Sequence, residues 1–170
     1  KWSTWHPYLP WLGDEVTGKT VAVIGTGRIG RAFIKKAIGF DMDVLCYDPA
    51  YQDHRFVEGV RRVMKVRHQE GLTPRLQTIE YAPLEEALGR ADFVSLHVNL
   101  TRPGESPEPT FHLMDERRFR MMKPTAILVN TATSIEGGRY QRRYGPLPVV
   151  THDDAAAAFL GPHLVPIKIP

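Results

Sequence analysis

The sequence predicts an α/β fold: a doubly wound parallel sheet with helices on both faces, in a three-layer α/β/α arrangement. Three observations predict it. Short β-branched runs alternate with helix-patterned stretches from residue 20 to residue 130. Those runs are apolar throughout rather than alternating, as expected of strands covered on both faces. A glycine-rich turn, Gly25-Thr26-Gly27-Arg28-Ile29-Gly30, stands between the first run and the first helix.

Each element follows in order. Residues 20–25, Thr-Val-Ala-Val-Ile-Gly, read as the first strand. Residues 28–39 read as a helix with Ile29, Ala32, Phe33, Ala37 and Ile38 on one stripe. Residues 43–47 make a second strand ending at Asp48-Pro49. Residues 53–70 have helical spacing, with Phe56, Val57, Val60, Val63 and Met64 on one face. Arg61, Arg62 and Lys65 fall mostly on the other face and read as solvated. A short strand at 77–81 leads to Pro83, which opens a helix over 84–88. Residues 92–98 are the fourth strand, and the prolines and glycine of 101–111 mark a loop. Asp115 caps a helix to about Met122, and 125–130 form the fifth strand.

Beyond residue 132 the alternation falters. Residues 136–148 read as irregular, and Thr151 caps a last helix over about 152–160 that Gly161-Pro162 ends. The expected organisation is an aromatic arm over 1–17, a doubly wound domain over 18–132 and an atypical tail over 133–170. The arm carries Trp2, Trp5 and Trp11, which need covering. Its cover is either the chain's own body or a partner subunit or further domain.

Composition narrows the function classes. A chain of 170 residues, 42% hydrophobic and 24% charged, is an ordinary globular mixture of single-domain length. No apolar run reaches a membrane span, and no secretory leader opens the chain, although it begins at Lys1 rather than a Met. The net charge of +3 is too small and too scattered for a nucleic-acid footprint. The single cysteine, Cys46, fits a reducing, cytoplasmic setting. No histidine has cysteine or acidic partners at metal-ligand spacing, so no metal is expected.

The chemistry sits in the glycine turn. A G-x-G-x-x-G pattern is weak alone, but here it follows a buried strand and opens a helix. Gly25 permits the tight turn, Gly27 lets a pyrophosphate approach the backbone, and Gly30 allows close helix–strand packing. The helix start offers free N–H groups and a positive dipole end to phosphates, and Arg28 either contacts a phosphate or is solvated. Asp48, 18 positions after Gly30, stands where a carboxylate accepts adenosine ribose hydroxyls and repels a 2′-phosphate. Pro49, Ala50 and Tyr51 supply no Arg to clamp such a phosphate, which favours NAD(H) over NADP(H). His97 either lines the nicotinamide pocket or is a structural residue with a satisfied hydrogen bond. Asn130-Thr131-Ala132 end a strand and should face the same crevice.

Several segments together resemble the D-isomer-specific 2-hydroxyacid dehydrogenases, in particular their glyoxylate/hydroxypyruvate reductase and phosphoglycerate dehydrogenase branches. They are Trp11-Leu12-Gly13, residues 16–21, the glycine turn, Tyr47-Asp48-Pro49, residues 91–98, Met122-Lys123-Pro124 and Asn130-Thr131-Ala132. The resemblance spans residues 1–132. It implies a Rossmann-type NAD-binding domain, a 2-keto or 2-hydroxy acid substrate and a homodimer. The cofactor residues it implies are Gly25, Gly27, Arg28, Ile29, Gly30, Asp48, Pro49, His97, Val98, Thr131 and Ala132.

The departures are equally specific. Thr133 and Ser134 occupy the places where the family has its catalytic Arg and a following Gly. No segment matches the family's acid–base His and Glu, and the family's substrate domain lies largely before Lys1. Asn99 replaces a usual Pro. Residues 143–156 echo the family's Arg-Gly-Pro stretch, displaced by an insertion, which makes Arg142 or Arg143 a weak stand-in for the lost Arg. Two readings follow: the cofactor half of an oxidoreductase, inactive as this fragment, or a non-catalytic NAD(H)-sensing interaction module.

Overall fold

A computed structural model describes residues 15–130 and the backbone of 149–151. The strands are Thr20–Ile24 (β1), Asp43–Tyr47 (β2), Ile79–Tyr81 (β3), Phe93–Leu96 (β4), Ile127–Asn130 (β5) and Val149–Thr151 (β6). The helices are Arg28–Ala37 (α1), His54–Gln69 (α2), Leu84–Arg90 (α3) and Glu116–Met121 (α4), with a 3-10 turn at Ile38–Phe40. All strand pairs are parallel, in the order β3-β2-β1-β4-β5-β6. The chain therefore winds outward from β1 to β3, returns to place β4 beside β1, and winds the other way. That reversal creates a crevice at the carboxyl ends of β1 and β4.

The continuous apolar runs have a direct cause. Successive residues of a strand point to opposite faces, and here both faces are covered. Val21 and Val23 of β1 join Ile34, Ala37, Val57, Val60 and Met64 in one core against α1 and α2. Ala22 and Ile24 join Leu84, Ala87, Leu88, Val94 and Leu128 in the other, against α3 and α4.

The N-terminal edge of the sheet is held by one carboxylate. Asp92 accepts the Thr20 amide at 2.9 Å on Oδ2 and the Lys123 ammonium at 2.8 Å on Oδ1. Its main chain bonds Thr20 and Ile127 as well, so β1, β4 and β5 are tied at one point. Partial burial pushes its pKa up, but Lys123 and the Thr20 amide outweigh that and hold it below the usual range.

Three expectations need correction. The buried face of α1 is Gly30, Ile34 and Ala37, whereas Ile29 is 68% exposed and Ala32 is exposed. Gly30 packs under the preceding turn and sets the phase of the helix. Val63 is half exposed on α2, although Val57, Val60 and Met64 are buried as expected. The basic face of α2 is partly anchored: Arg61 donates to the Ile79 carbonyl, and Arg67 joins the Ile38 carbonyl and the Asp41 carboxylate. A further strand, Val149–Thr151, extends the sheet alongside Leu128–Asn130. Two valines and a threonine suit a pleated surface, and β5 otherwise leaves an unpaired edge. The helix expected over 152–160 lies outside the described residues, as does the arm up to residue 14.

Candidate functional site

The glycine turn is shaped by contacts at each glycine. Gly25 adopts φ +95°, which disfavours any side chain. A β-carbon there would meet the His97 carbonyl at 2.8 Å and Val98 Cγ1 at 2.9 Å, because the ends of β1 and β4 converge. Gly30 is tighter still against the turn. At Gly27 the situation is opposite: a β-carbon would find nothing within 4 Å. Gly27 is the N-cap of α1 and offers no side chain to the first-turn amides. An open approach, exposed Arg28 and Ile29, and the amides of a ten-residue helix fit the phosphates of a dinucleotide.

Asp48 follows β2 and closes over this turn. Its Oδ2 accepts the Thr26 amide at 2.6 Å and the Thr26 hydroxyl at 3.1 Å. Its Oδ1 accepts the amides of Ala50 and Tyr51 at 2.9 and 3.1 Å, which fixes Pro49 in a tight turn. Thr26 is 1% exposed, and its hydroxyl also lies 3.0 Å from the Tyr81 phenol. That phenol oxygen accepts the Asp53 amide at 2.9 Å. Asp53 caps α2 through Phe56 and pairs with Arg31 at 2.7 Å, and Arg31 Nε donates to the Thr26 carbonyl. The Phe56 amide bond and the Arg31 charge keep the Asp53 carboxyl below its usual range.

His97 is half-buried beside β1, with Nε2 2.9 Å from Ser95 Oγ and its ring 5.1 Å from that of Phe33. Burial pushes its pKa down, which favours the uncharged imidazole. Val98 packs against the α3–α4 core beside Gly25. Asn130 is 6% exposed and pairs with Leu96 in register. Thr131, Ala132, Thr133, Arg142 and Arg143 lie outside the described residues.

Sequence reasoning missed Thr26, Tyr81, Asp53 and Arg31. One local signal existed: a hydroxyl residue inside an otherwise apolar strand end and glycine turn. It also missed the return of the 101–111 loop over β2, where Tyr47 donates to Glu108 at 2.9 Å. Burial first, then Glu108, pushes the Tyr47 phenol up to about 12. The loop's ends are clasped by reciprocal bonds between Thr101 and Thr110. Among the described residues no three His, Cys, Asp or Glu side chains converge as metal ligands. No helix among them is long and apolar enough to cross a membrane.

Comparisons with known proteins agree with this geometry. Residues 1–134 match the family model of the D-isomer specific 2-hydroxyacid dehydrogenase, NAD binding domain. A glyoxylate reductase of Korarchaeum cryptofilum is 42% identical over 133 residues, covering 78% of this chain and 32% of the relative. One from Thermococcus gammatolerans is 42% identical over 128 residues, covering 75% and 31%. The crystal structure of Aquifex aeolicus D-lactate dehydrogenase complexed with NAD and lactic acid is 28% identical, with a TM-score of 0.59. That alignment covers 84% of this chain and 38% of the solved one. The chain thus spans about a third of the length of the curated relatives it matches. By its motifs, its strand order and its family match, the chain belongs to the D-isomer specific 2-hydroxyacid dehydrogenase family and carries that family's NAD-binding domain.

Proposed function

We propose that this chain is the cofactor half of an oxidoreductase that moves a hydride between NAD(H) and a 2-hydroxy or 2-keto acid. One observation carries the reading: the open backbone at Gly27 lies on the same turn whose Thr26 amide holds the Asp48 carboxylate. Gly25, Gly27, Arg28, Ile29 and Gly30 would take the pyrophosphate. Asp48 and Pro49 would take the adenosine ribose. His97, Val98, Thr131 and Ala132 would line the nicotinamide side. When bound, NADH supplies the hydride for reduction of the keto carbon. The carboxylate of Asp48 repels a 2′-phosphate, which supports NAD(H) over NADP(H).

The family match, and the glyoxylate reductases and NAD-bound D-lactate dehydrogenase among the relatives, support a small 2-keto or 2-hydroxy acid as substrate. Family resemblance also supports a cytoplasmic homodimer. Thr133 stands in the place of the family's carboxylate-gripping Arg, and Arg143 is a weak substitute. We therefore expect cofactor binding without turnover. Thermal melting of the 170-residue chain tests the first part: NADH should raise the midpoint and NADPH should not. An equal or larger rise with NADPH refutes the assignment to Asp48. Glyoxylate or hydroxypyruvate should not drive NADH oxidation, and measurable oxidation refutes the second part. The same Thr133 favours one other reading, a non-catalytic NAD(H)-sensing module. Capture of a protein partner whose affinity changes with NADH would decide for it.

A further inference from the structure

A carboxylate offers about four lone-pair sites, and all four on Asp48 are taken by Thr26 N, Thr26 Oγ1, Ala50 N and Tyr51 N. A ribose hydroxyl can bond Asp48 only by displacing one of these donors. Three are main-chain amides fixed by the glycine turn and by the 48–51 turn, and stranding one of them is costly. The fourth, the Thr26 hydroxyl, is a rotor with a second partner already in place, the Tyr81 phenol at 3.0 Å.

The hydrogen directions follow from what each group can do. The Asp53 amide only donates, so the Tyr81 oxygen accepts from it. An ionised carboxylate only accepts, so the Thr26 hydroxyl donates to Asp48. Tyr81 therefore donates to Thr26, and its oxygen keeps one lone pair. We propose that Thr26 and Tyr81 form a donor exchange that frees Asp48 for a ribose diol. A ribose hydroxyl donates to Asp48 Oδ2, the Thr26 hydrogen turns to the free lone pair of the Tyr81 oxygen, and the Tyr81 hydrogen, on a side chain that is only partly buried, turns from Thr26 to solvent. Tyr81 is thus a positioning residue that acts on Asp48 through Thr26. The inference rests on the reading of this crevice as a dinucleotide site.

Calorimetry of the full chain with ADP and with 2′,3′-dideoxy-ADP tests it. The parent protein should bind ADP more tightly than the dideoxy form. Tyr81→Phe should weaken ADP about ten-fold and leave the dideoxy form unchanged. Thr26→Val, which removes the competing donor, should tighten ADP about three-fold. In that background Tyr81→Phe should have no further effect. Equal loss of both ligands in Tyr81→Phe overturns the exchange, because Tyr81 then acts through the fold alone. So does unchanged ADP binding in Tyr81→Phe, or weaker ADP binding in a Thr26→Val protein that melts normally. A parent that binds neither ADP nor NADH overturns the dinucleotide reading itself.

Discussion

A β-carbon placed on Gly30 would lie 2.0 Å from the carbonyl oxygen of Gly25. That oxygen is main chain and belongs to a turn pinned by β2, since the Gly25 amide bonds the Tyr47 carbonyl at 2.7 Å. The helix and the turn therefore meet backbone to backbone.

This separates two glycines of one motif. Gly30→Ala has to push α1 off the turn, at a cost of about 1–3 kcal/mol, and should lower the melting midpoint by about 5 °C. Gly27→Ala meets open space and should change stability by less than about 1 kcal/mol. Its methyl group occupies the approach to the α1 amides, so NADH affinity should fall about ten-fold. Melting curves and calorimetry on the two variants should give opposite patterns.

Asp48 sets the preference between the two cofactors. Asp48→Ala removes the negative charge and the ribose acceptor together. NADH affinity should drop about ten-fold while NADPH affinity rises or holds, so the ratio narrows in a fluorescence titration. An unchanged ratio would assign selectivity to other residues.

Acid should loosen the sheet at a defined point. The carboxyls of Asp92 and Asp43 are half-buried, which raises their pKa values, but Lys123 with Thr20, and Arg75 with Thr78, more than offset this. Both therefore titrate below the ordinary aspartate value of 3.8. Their stabilisation is complete above that value and is lost as pH falls through the lower, folded-state values. Asp92→Asn should cost about 1 kcal/mol near pH 7, and its midpoint should change less than the parent's below about pH 4. Melting across pH 2–7 checks this.

Cys46 should be inert in the native protein. It is fully buried in β2, and burial pushes its thiol up to about 12. A thiol-specific chromogenic reagent at pH 8 should react only after denaturant is added. Prompt reaction of the folded chain would mean that β2 opens locally.

The parts of this molecule that depend on near neighbours were legible in the sequence. Strand β2 was expected at 43–47 and lies at Asp43–Tyr47, because Gly39 with Asp41 and then Asp48 with Pro49 punctuate it on both sides. The phase of α1 was not legible. Stripes through Ile29 or through Gly30 both satisfy helical spacing, and the choice depends on a backbone contact across the turn. The support of Asp48 was hidden for another reason: Thr26 precedes Asp48 by 22 positions and Tyr81 by 55, so no local pattern links them. Strand β6 follows a stretch rich in glycine, arginine and proline, and only pairing with β5 reveals it.

Among the described residues, the two outermost strands, β3 and β6, have three residues each, while the inner four have four or five. Exposed rims of a sheet are templates on which another chain can add itself. Rims this short offer few unsatisfied amide and carbonyl groups, and the longest ladders of the described sheet lie in its interior. In this described part of the sheet, the order that brings β1 and β4 together at the centre also leaves little rim for fibrous self-association.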